Sequence, residues 1–214
     1  MTVTRKQVRE GSPTKRAAIL AAARDLFVRQ GVDRVSMDAV AATAKVSKAT
    51  VYEYFGDKQR LFQAILDAAS ESLDATARKV LAKHLADDAG IASVPALEQA
   101  LTAAAVDLGT TLVGSAEYAA AFALVAQQRW QDPATGDDVA TQAAEDLFAE
   151  RLAHFAEQGL LETDDPRRAG AHFFALTMLL AYNEQPIPTC VDIERVRQTM
   201  VDGVRTFIRA YGVR

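Results

Sequence analysis

The segment at positions 36–55, SMDAVAATAKVSKATVYEYF, restricts the fold of this chain more than any other stretch. Ser36 and Ser47 each precede a short run with helical spacing, and serine is a preferred residue immediately before a helix. The few residues between the two runs leave room only for a tight turn. The segment therefore predicts helices over about 37–43 and 48–55. Two short helices joined in this way are typical of a helix-turn-helix.

The rest of the sequence also predicts helices. A first helix with apolar residues at helical spacing ends at Gly31, and a long helix is expected from Asp57 to about Leu85. No later segment shows sustained period-two alternation, so the predicted fold class is all-α with essentially no strand. The predicted domains are a flexible basic arm at 1–12, a helix-turn-helix domain at 13–60 and a larger helical bundle at 61–214.

Positive charge is concentrated at the N-terminal end of the chain. Residues 1–62 hold twelve Lys or Arg against six Asp or Glu, whereas the remainder holds twelve against twenty-two. Chance clustering is the alternative explanation. A basic region attached to an acidic body instead favours a polyanionic partner for the basic region.

The second short helix has one face suited to nucleic acid. Val46 and Val51 fit its packed side, and Tyr54 is better explained as a packing residue. The opposite side combines short hydrogen-bonding groups, a methyl group, a cation and a phenol, which suits base edges flanked by phosphates. Lys58 lies in the first turn of the long helix, where free N–H groups favour an anion. A solvated side chain is the alternative for each residue alone. The predicted DNA contacts are Ser36, Lys45, Ser47, Lys48, Ala49, Thr50, Tyr52 and Lys58.

The stretch TKRAAILAAARDLFVRQGVDRVSMDAVAATAKVSKATVYEYFGDKQRLFQAIL resembles the DNA-binding domain of TetR/AcrR-type transcriptional regulators. The resemblance covers about residues 14–66. It implies that Ser36, Tyr52 and Lys58 contact phosphates, and that Lys48 and the pair Ala49-Thr50 face the bases. Many members carry a different pair at these last two positions, which affects the bases read and not DNA binding itself.

The later part of the chain resembles the AefR-like branch of the same family, through RWQDPATGDDVATQAAEDLFAERLAHFAEQGLLETDDPRRAGAHFFAL. In this family two C-terminal helices form a dimer interface, which here implies helices at about 166–183 and 192–211. Both carry apolar stripes, although packing within one protomer is an alternative. A two-fold, pseudo-palindromic double-stranded DNA operator favours a homodimer. The predicted interface residues are Phe173, Leu176, Thr177, Leu180, Val196, Met200, Val204 and Phe207.

The resemblance also implies an effector pocket between the long helix and the body helices. The expected small molecule is apolar or amphipathic and is held mostly by burial. The hypothesis is a repressor whose long helix tilts when this ligand binds, releasing the operator. Ordinary core packing is the alternative for each residue. The predicted pocket residues are Leu73, Phe122, Gln127, Trp130, Phe148, Phe155, Phe174 and Met178.

Other functions lack sequence support. The three histidines are too widely spaced for a metal site, and no catalytic or cofactor-binding motif is present, so neither a metal, a cofactor nor an enzyme activity is expected. No signal peptide, membrane contact or internal disulfide is expected, and the single Cys190 fits a cytoplasmic location. The alternatives are an all-helical binding protein or enzyme with an incidental helix-turn-helix, and a regulator without an inducer.

Overall fold

The computed structural model describes residues 13–131, 142–185 and 190–214, with side chains everywhere except at 126–131 and 142. These residues form helices joined by short connections, which confirms the predicted all-α fold. Within the described residues, β pairing is limited to one isolated antiparallel bridge between Leu161 and Gly212.

The chain divides into two compact units, the first ending at Leu66 and the second beginning at Asp67. The boundary expected from sequence lies a few residues earlier, after residue 60. The arm expected at 1–12 lies outside the described residues. One helix, α4, runs through the boundary, from Lys58 to His84.

The first unit contains three further helices, whose ends follow local sequence signals. They are α1 (Pro13–Gln30), α2 (Met37–Thr43) and α3 (Lys48–Phe55). Ser36 Oγ accepts the Ala39 N–H at 3.1 Å, and Ser47 Oγ accepts the Thr50 N–H at 3.1 Å, so both serines cap the helices that they precede. Gly56 has a φ of +76°, a conformation that favours glycine, and it ends α3.

The turn between α2 and α3 is closed by backbone hydrogen bonds. Lys45 has a φ of +56°, and among the described residues it is the non-glycine residue in this left-handed region. The Lys45 N–H donates to Ala42 O at 3.2 Å, and the Val46 N–H donates to Ala41 O at 3.0 Å. Val51, with no exposed surface, anchors α3 in the core of this unit. This geometry is a helix-turn-helix.

The second unit combines the remainder of α4 with the other helices. These are α5 (Val94–Leu112), α6 (Ala116–Gln131), α7 (Gln142–Glu157), α8 (Pro166–Phe174), a π-helical turn (Ala175–Leu179), α9 (Leu180–Glu184) and α10 (Ile193–Tyr211). In this part of the chain no single helix is long and apolar enough to cross a membrane. One helix pair passes that test together on length and composition, but it is bent by 87°.

Helix α10 packs directly against the π-helical turn. A Cβ atom added at Gly203 would overlap the carbonyl oxygen of Leu176 and lie 2.8 Å from Thr177 Cγ2. The close approach therefore depends on glycine at this position. The single helix predicted at 166–183 is interrupted by the π-helical turn at this contact.

The structure corrects most of the predicted dimer interface. A side chain with no accessible surface in one protomer has none to lose to a partner. Five of the eight predicted residues have no accessible surface and a sixth, Phe173, retains only 8%, because they pack within the core of their own chain. These six are Phe173, Thr177, Val196, Met200, Val204 and Phe207. Leu180 is 44% exposed and Leu176 is half-buried, so these two remain candidates.

Candidate DNA-binding face and effector cavity

All eight residues predicted to contact DNA lie on α3, on its two flanking turns or at the start of α2 and α4. Thr50 and Lys58 are half-buried, and the other six are exposed. The exposed ones are Ser36, Lys45, Ser47, Lys48, Ala49 and Tyr52. The surface that all eight residues form is called the reading face below.

The beginning of α3 is fixed by a local hydrogen-bond network. Ser47 Oγ accepts the Thr50 N–H and also lies 2.8 Å from Thr50 Oγ1. The two hydroxyls therefore hold each other in place at the end of the helix that a major groove admits. A fixed hydroxyl loses less side-chain entropy when it binds a base edge.

Lys48 forms an ion pair that the sequence analysis missed. Its ammonium lies 2.8 Å and 3.0 Å from the two carboxylate oxygens of Asp38, and 5.9 Å from the centre of the Tyr52 ring. The hydrogen bond to Asp38, followed by the charge of Asp38, raises the pKa of Lys48 above its ordinary value. Asp38 lies in the first turn of α2. The two residues are ten positions apart in sequence, and their spacing gave no signal of the contact.

Lys58 is bound to the backbone of the loop between α1 and α2. Its ammonium donates to Asp33 O at 3.0 Å and to Val35 O at 3.3 Å. An ammonium group has three donors, so one N–H remains for a phosphate. The structure thus gives Lys58 a structural role in addition to the predicted one.

The second unit contains an apolar cavity of about 220 Å³. Helix α4 contributes Leu73, Ala77, Val80 and Leu81, which fall on one face of the helix by their spacing. Small side chains of α5, including Ala104 and Ala105, leave the space, and aromatic rings from α7 and α8 close it. Most of the lining is therefore hydrocarbon.

Four of the eight predicted pocket residues line this cavity: Leu73, Phe148, Phe174 and Met178. The structure places Phe155 elsewhere, buried beneath Arg151, and Phe122 in a separate aromatic group. The side chains of Gln127 and Trp130 lie outside the described residues. The alanines of α5 that line the cavity could not be predicted from sequence, because small residues are equally common where two helices simply pack together.

Three polar side chains are among the lining residues of the cavity. Glu145 and Arg167 are among its lining residues, and Arg167 is paired with Asp146. The hydroxyl of Thr177 donates to Phe173 O at 2.6 Å, so its hydrogen is already used inside the protomer.

Phe122 belongs to an aromatic group with Tyr118 and Tyr182. Its ring centre is 4.3 Å from that of Tyr182 and 6.5 Å from that of Tyr118. Burial raises the pKa of Tyr118 to about 12, and the nearby Tyr182 and Glu145 act in the same direction. The Tyr182 hydroxyl donates to Ala119 O at 3.1 Å, which ties α9 to α6.

Comparison with known families assigns both units. Residues 19–65 match the model of bacterial regulatory proteins of the tetR family, and residues 99–213, more than half of the chain, match the C-terminal domain of AefR-like transcriptional repressors. The chain belongs to the TetR family. Both resemblances stated from sequence are thereby confirmed.

Curated TetR-family relatives match over part of the chain. The DNA-binding transcriptional repressor TetR of Mycobacteroides abscessus is 46% identical over 61 residues, which are 28% of this chain and 32% of that protein. The HTH-type transcriptional regulator TtgR of Pseudomonas putida is 34% identical over 73 residues, or 34% and 35% of the two chains. The match therefore spans about a third of each relative.

Solved TetR-family structures match over nearly the whole chain. The flavonoid-responsive regulator FrrA is 26% identical, with a TM-score of 0.63, over 95% of this chain and 100% of its own. A TetR family regulator from Pseudomonas syringae pv. tomato is 22% identical with a TM-score of 0.69, over 95% and 100%, and this likeness concerns the fold alone. Within the described residues of the present chain, no group of three or more His, Cys, Asp or Glu side chains is arranged to hold a metal ion.

Proposed function

We propose that this TetR-family protein is a homodimeric, DNA-binding transcriptional repressor whose operator complex is released by a small apolar ligand. The reading face supports the DNA-binding part most directly. Six of its eight residues are exposed and the other two are half-buried, while the fully buried Val51 holds α3 in place behind them. A surface of this composition has no role in the core of the unit.

Each residue of the reading face is assigned a contact type. Lys48 and Thr50 hydrogen-bond base edges, and the Ala49 methyl packs on a thymine methyl. Phosphates are contacted by the remaining residues. These are Ser36, Lys45, Ser47, Tyr52 and Lys58.

A dimer is proposed because one reading helix covers only half of a two-fold operator. The proposed contact is a strip of partly exposed apolar residues on the π-helical turn and α9, which replaces most of the interface expected from sequence. The strip consists of Ala175, Leu176, Leu179 and Leu180. These residues are adjacent on one helical face. The side chain of Leu180 is 44% exposed. Burying them in a second copy would remove this apolar surface from water.

The apolar cavity is the proposed effector site. An engineered apolar cavity of about 150 Å³ admits benzene, so a cavity of about 220 Å³ fits a somewhat larger ligand of one or two rings. Burial of hydrocarbon supplies most of the binding energy, and Glu145 or Arg167 orients a polar end. FrrA is a flavonoid-responsive regulator, so flavonoids, whose three rings exceed this size, are tested as first probes together with smaller aromatic compounds.

Helix α4 is the proposed route between ligand and DNA. It carries Lys58 in its first turn and lines the cavity with Leu73 and Ala77 further along. A ligand that displaces this wall changes the position of the helix that holds Lys58. Nearly complete release requires the ligand to favour the non-binding form by about 5.5 kcal/mol.

The test begins with a random-sequence duplex library from which the purified protein enriches its preferred site. We expect retardation of the enriched duplex by a dimer, with affinity that falls log-linearly with salt. A flavonoid panel and small aromatic compounds are then added to the complex. Release of DNA by one of them supports the effector role.

A cavity-filling variant provides the matched comparison. Ala105→Phe is expected to bind the duplex normally and to lose the response to the active compound. Ala143→Phe adds the same ring at an exposed position of α7 and should respond as the wild type does. Failure of the wild type to retard any duplex, even at low salt, contradicts the proposed function.

A further inference from the structure

Asp38 places a negative charge beside the reading face. The Lys48 ammonium lies 2.8 Å and 3.0 Å from the two oxygens of the Asp38 carboxylate, and 5.9 Å from the centre of the Tyr52 ring. The carboxylate is exposed, as is the lysine, with 63% and 59% of their side-chain surfaces accessible. One cation of the reading face is therefore neutralised by the protein itself.

The fold has little need of this pair. Ion pairs with this degree of exposure contribute little to stability. Helix α2 is already capped by Ser36 and anchored by the fully buried Val40, and α3 is anchored by Val51. The position of the carboxylate calls for an explanation in terms of what meets the reading face.

A carboxylate at this position acts differently on two kinds of complex. Binding to DNA of arbitrary sequence relies on phosphate contacts, so a paired lysine and a repelled carboxylate both weaken it. A complex with the preferred sequence gains base contacts in addition. For these contacts the carboxylate is useful, because it holds the Lys48 ammonium in one place before binding and reduces the entropy lost on binding.

We propose that Asp38 is a specificity-determining residue, which positions Lys48 for a base contact and opposes binding to DNA that offers phosphates alone. This inference rests on the proposed function of the protein as a DNA-binding regulator. It concerns the ratio of two affinities and not the ability to bind DNA. Asp38 itself acts through Lys48 and touches no base.

The experiment compares two duplexes of about 30 base pairs, long enough for two half-sites one helical turn apart. One is the sequence enriched by the wild-type protein from the random library, and the other is a scrambled duplex of the same base composition. Asp38→Asn keeps the shape and removes the charge. We expect it to bind the scrambled duplex about three- to tenfold more tightly, with a steeper salt dependence, and to change affinity for the enriched duplex by less than about threefold.

Asp25→Asn is the matched control. Asp25 lies on α1 and pairs with Arg29 at 2.9 Å, with 51% of its side chain exposed. The substitution changes the net charge equally and also releases a cation from an exposed pair. We expect it to leave the ratio of the two affinities nearly unchanged. Thermal unfolding of every variant checks that the protein remains folded.

Two further variants separate positioning from a general charge effect. Asp38→Glu should restore the wild-type ratio, since it keeps the carboxylate. In a Lys48→Met background, Asp38→Asn should change the ratio clearly less, because the part of the effect that acts through the lysine is gone and only the repulsion between carboxylate and phosphates remains.

The outcomes distinguish the inference from the function beneath it. A wild type that binds no duplex overturns the proposed function and the inference together. If the wild type discriminates between the duplexes while Asp38→Asn and Asp25→Asn alter the ratio equally, the role of Asp38 alone is overturned. An undiminished effect of Asp38→Asn in the Lys48→Met background also overturns it.

Discussion

The ammonium of Lys58 donates to the backbone carbonyl of Asp33 at a distance of 3.0 Å, across 25 positions of sequence. A second bond, to Val35 O, strengthens the link between the start of α4 and the loop that precedes α2. The same side chain is proposed to meet a phosphate with its remaining N–H. Stability and DNA affinity are therefore coupled at this residue.

Lys58→Met should lower both quantities. The loss of two hydrogen bonds to carbonyls is expected to reduce the free energy of unfolding by about 1–3 kcal/mol, because the ammonium is a charged donor. The loss of a phosphate contact should reduce the salt slope of DNA binding by about one per subunit. Urea unfolding and salt titration measure the two effects.

Lys79→Met is the control for Lys58→Met, since Lys79 is an exposed lysine of the same helix. It should leave both unfolding and the salt slope near wild-type values. A Lys58→Met protein with reduced stability and an unchanged slope would show that Lys58 only ties the loop to α4.

Lys45→Gly should weaken DNA binding without lowering stability, in contrast to Lys58→Met. Lys45 has a φ of +56°, which costs a side-chain-bearing residue about 1–2 kcal/mol and glycine nothing. Part of this gain is lost to the greater entropy of glycine in the unfolded chain. We expect equal or higher thermal stability together with weaker binding to all duplexes. A marked loss of stability would contradict the strain assigned to this turn.

Local signals predicted the first unit well. Ser36, Ser47 and Gly56 act on helix ends within a few residues of themselves, so the sequence alone located α2 and α3. The exposed reading face followed from the same spacing. The ion pair of Lys48 with Asp38 did not, because it depends on how α2 and α3 cross.

Longer-range features were less predictable. An apolar stripe such as that of Val196 and Phe207 identifies a buried face, but its spacing is the same whether the partner is the same chain or a second copy. The cavity was hard to predict for a similar reason. It arises where Ala104 and Ala105 face larger residues of other helices, and their own sequence pattern is that of ordinary helix packing.

Gly203→Ala should destabilise the second unit. Its Cβ would overlap the carbonyl oxygen of Leu176, which belongs to a packed backbone and cannot rotate away. Overpacking of this kind costs about 1–3 kcal/mol. Gly114→Ala is the control, because its nearest atom is Thr110 O at 3.9 Å. Thermal unfolding of the two variants should differ clearly, and equal melting temperatures would contradict the close contact of α10 with the π-helical turn.

Leu180→Glu should weaken the proposed dimer without unfolding the protomer. The side chain is 44% exposed in one protomer, so a carboxylate there remains hydrated in the monomer and becomes buried only in a dimer. Sedimentation over a range of protein concentrations should show more monomer, and affinity for the enriched duplex should fall in parallel. Val213→Glu, at a residue 41% exposed beyond α10, is the control. An unchanged dimer in Leu180→Glu would move the interface to another surface.

Asp107 should make the second unit sensitive to acid. His84 Nε2 lies 2.7 Å from its carboxylate, and Lys83 lies at the same distance; these contacts, that of His84 first, hold the pKa of Asp107 below its ordinary value of 3.8. A carboxyl group whose pKa is lowered by folding stabilises the protein above its unfolded-state pKa, and this contribution is lost as the pH falls through the folded-state pKa.

Asp107→Asn should therefore be less stable than the wild type near about pH 6 and approach it near about pH 3. Urea unfolding at the two pH values measures the difference. Asp88→Asn, at an exposed position of the loop after α4, removes the same charge away from His84 and Lys83 and serves as the control. Because Asp107 is itself 39% exposed, solvent screens the effect, and only its dependence on pH is diagnostic. If the free energies of unfolding of wild type and Asp107→Asn differ as much at about pH 3 as at about pH 6, the side chain stabilises the protein by packing and not by charge.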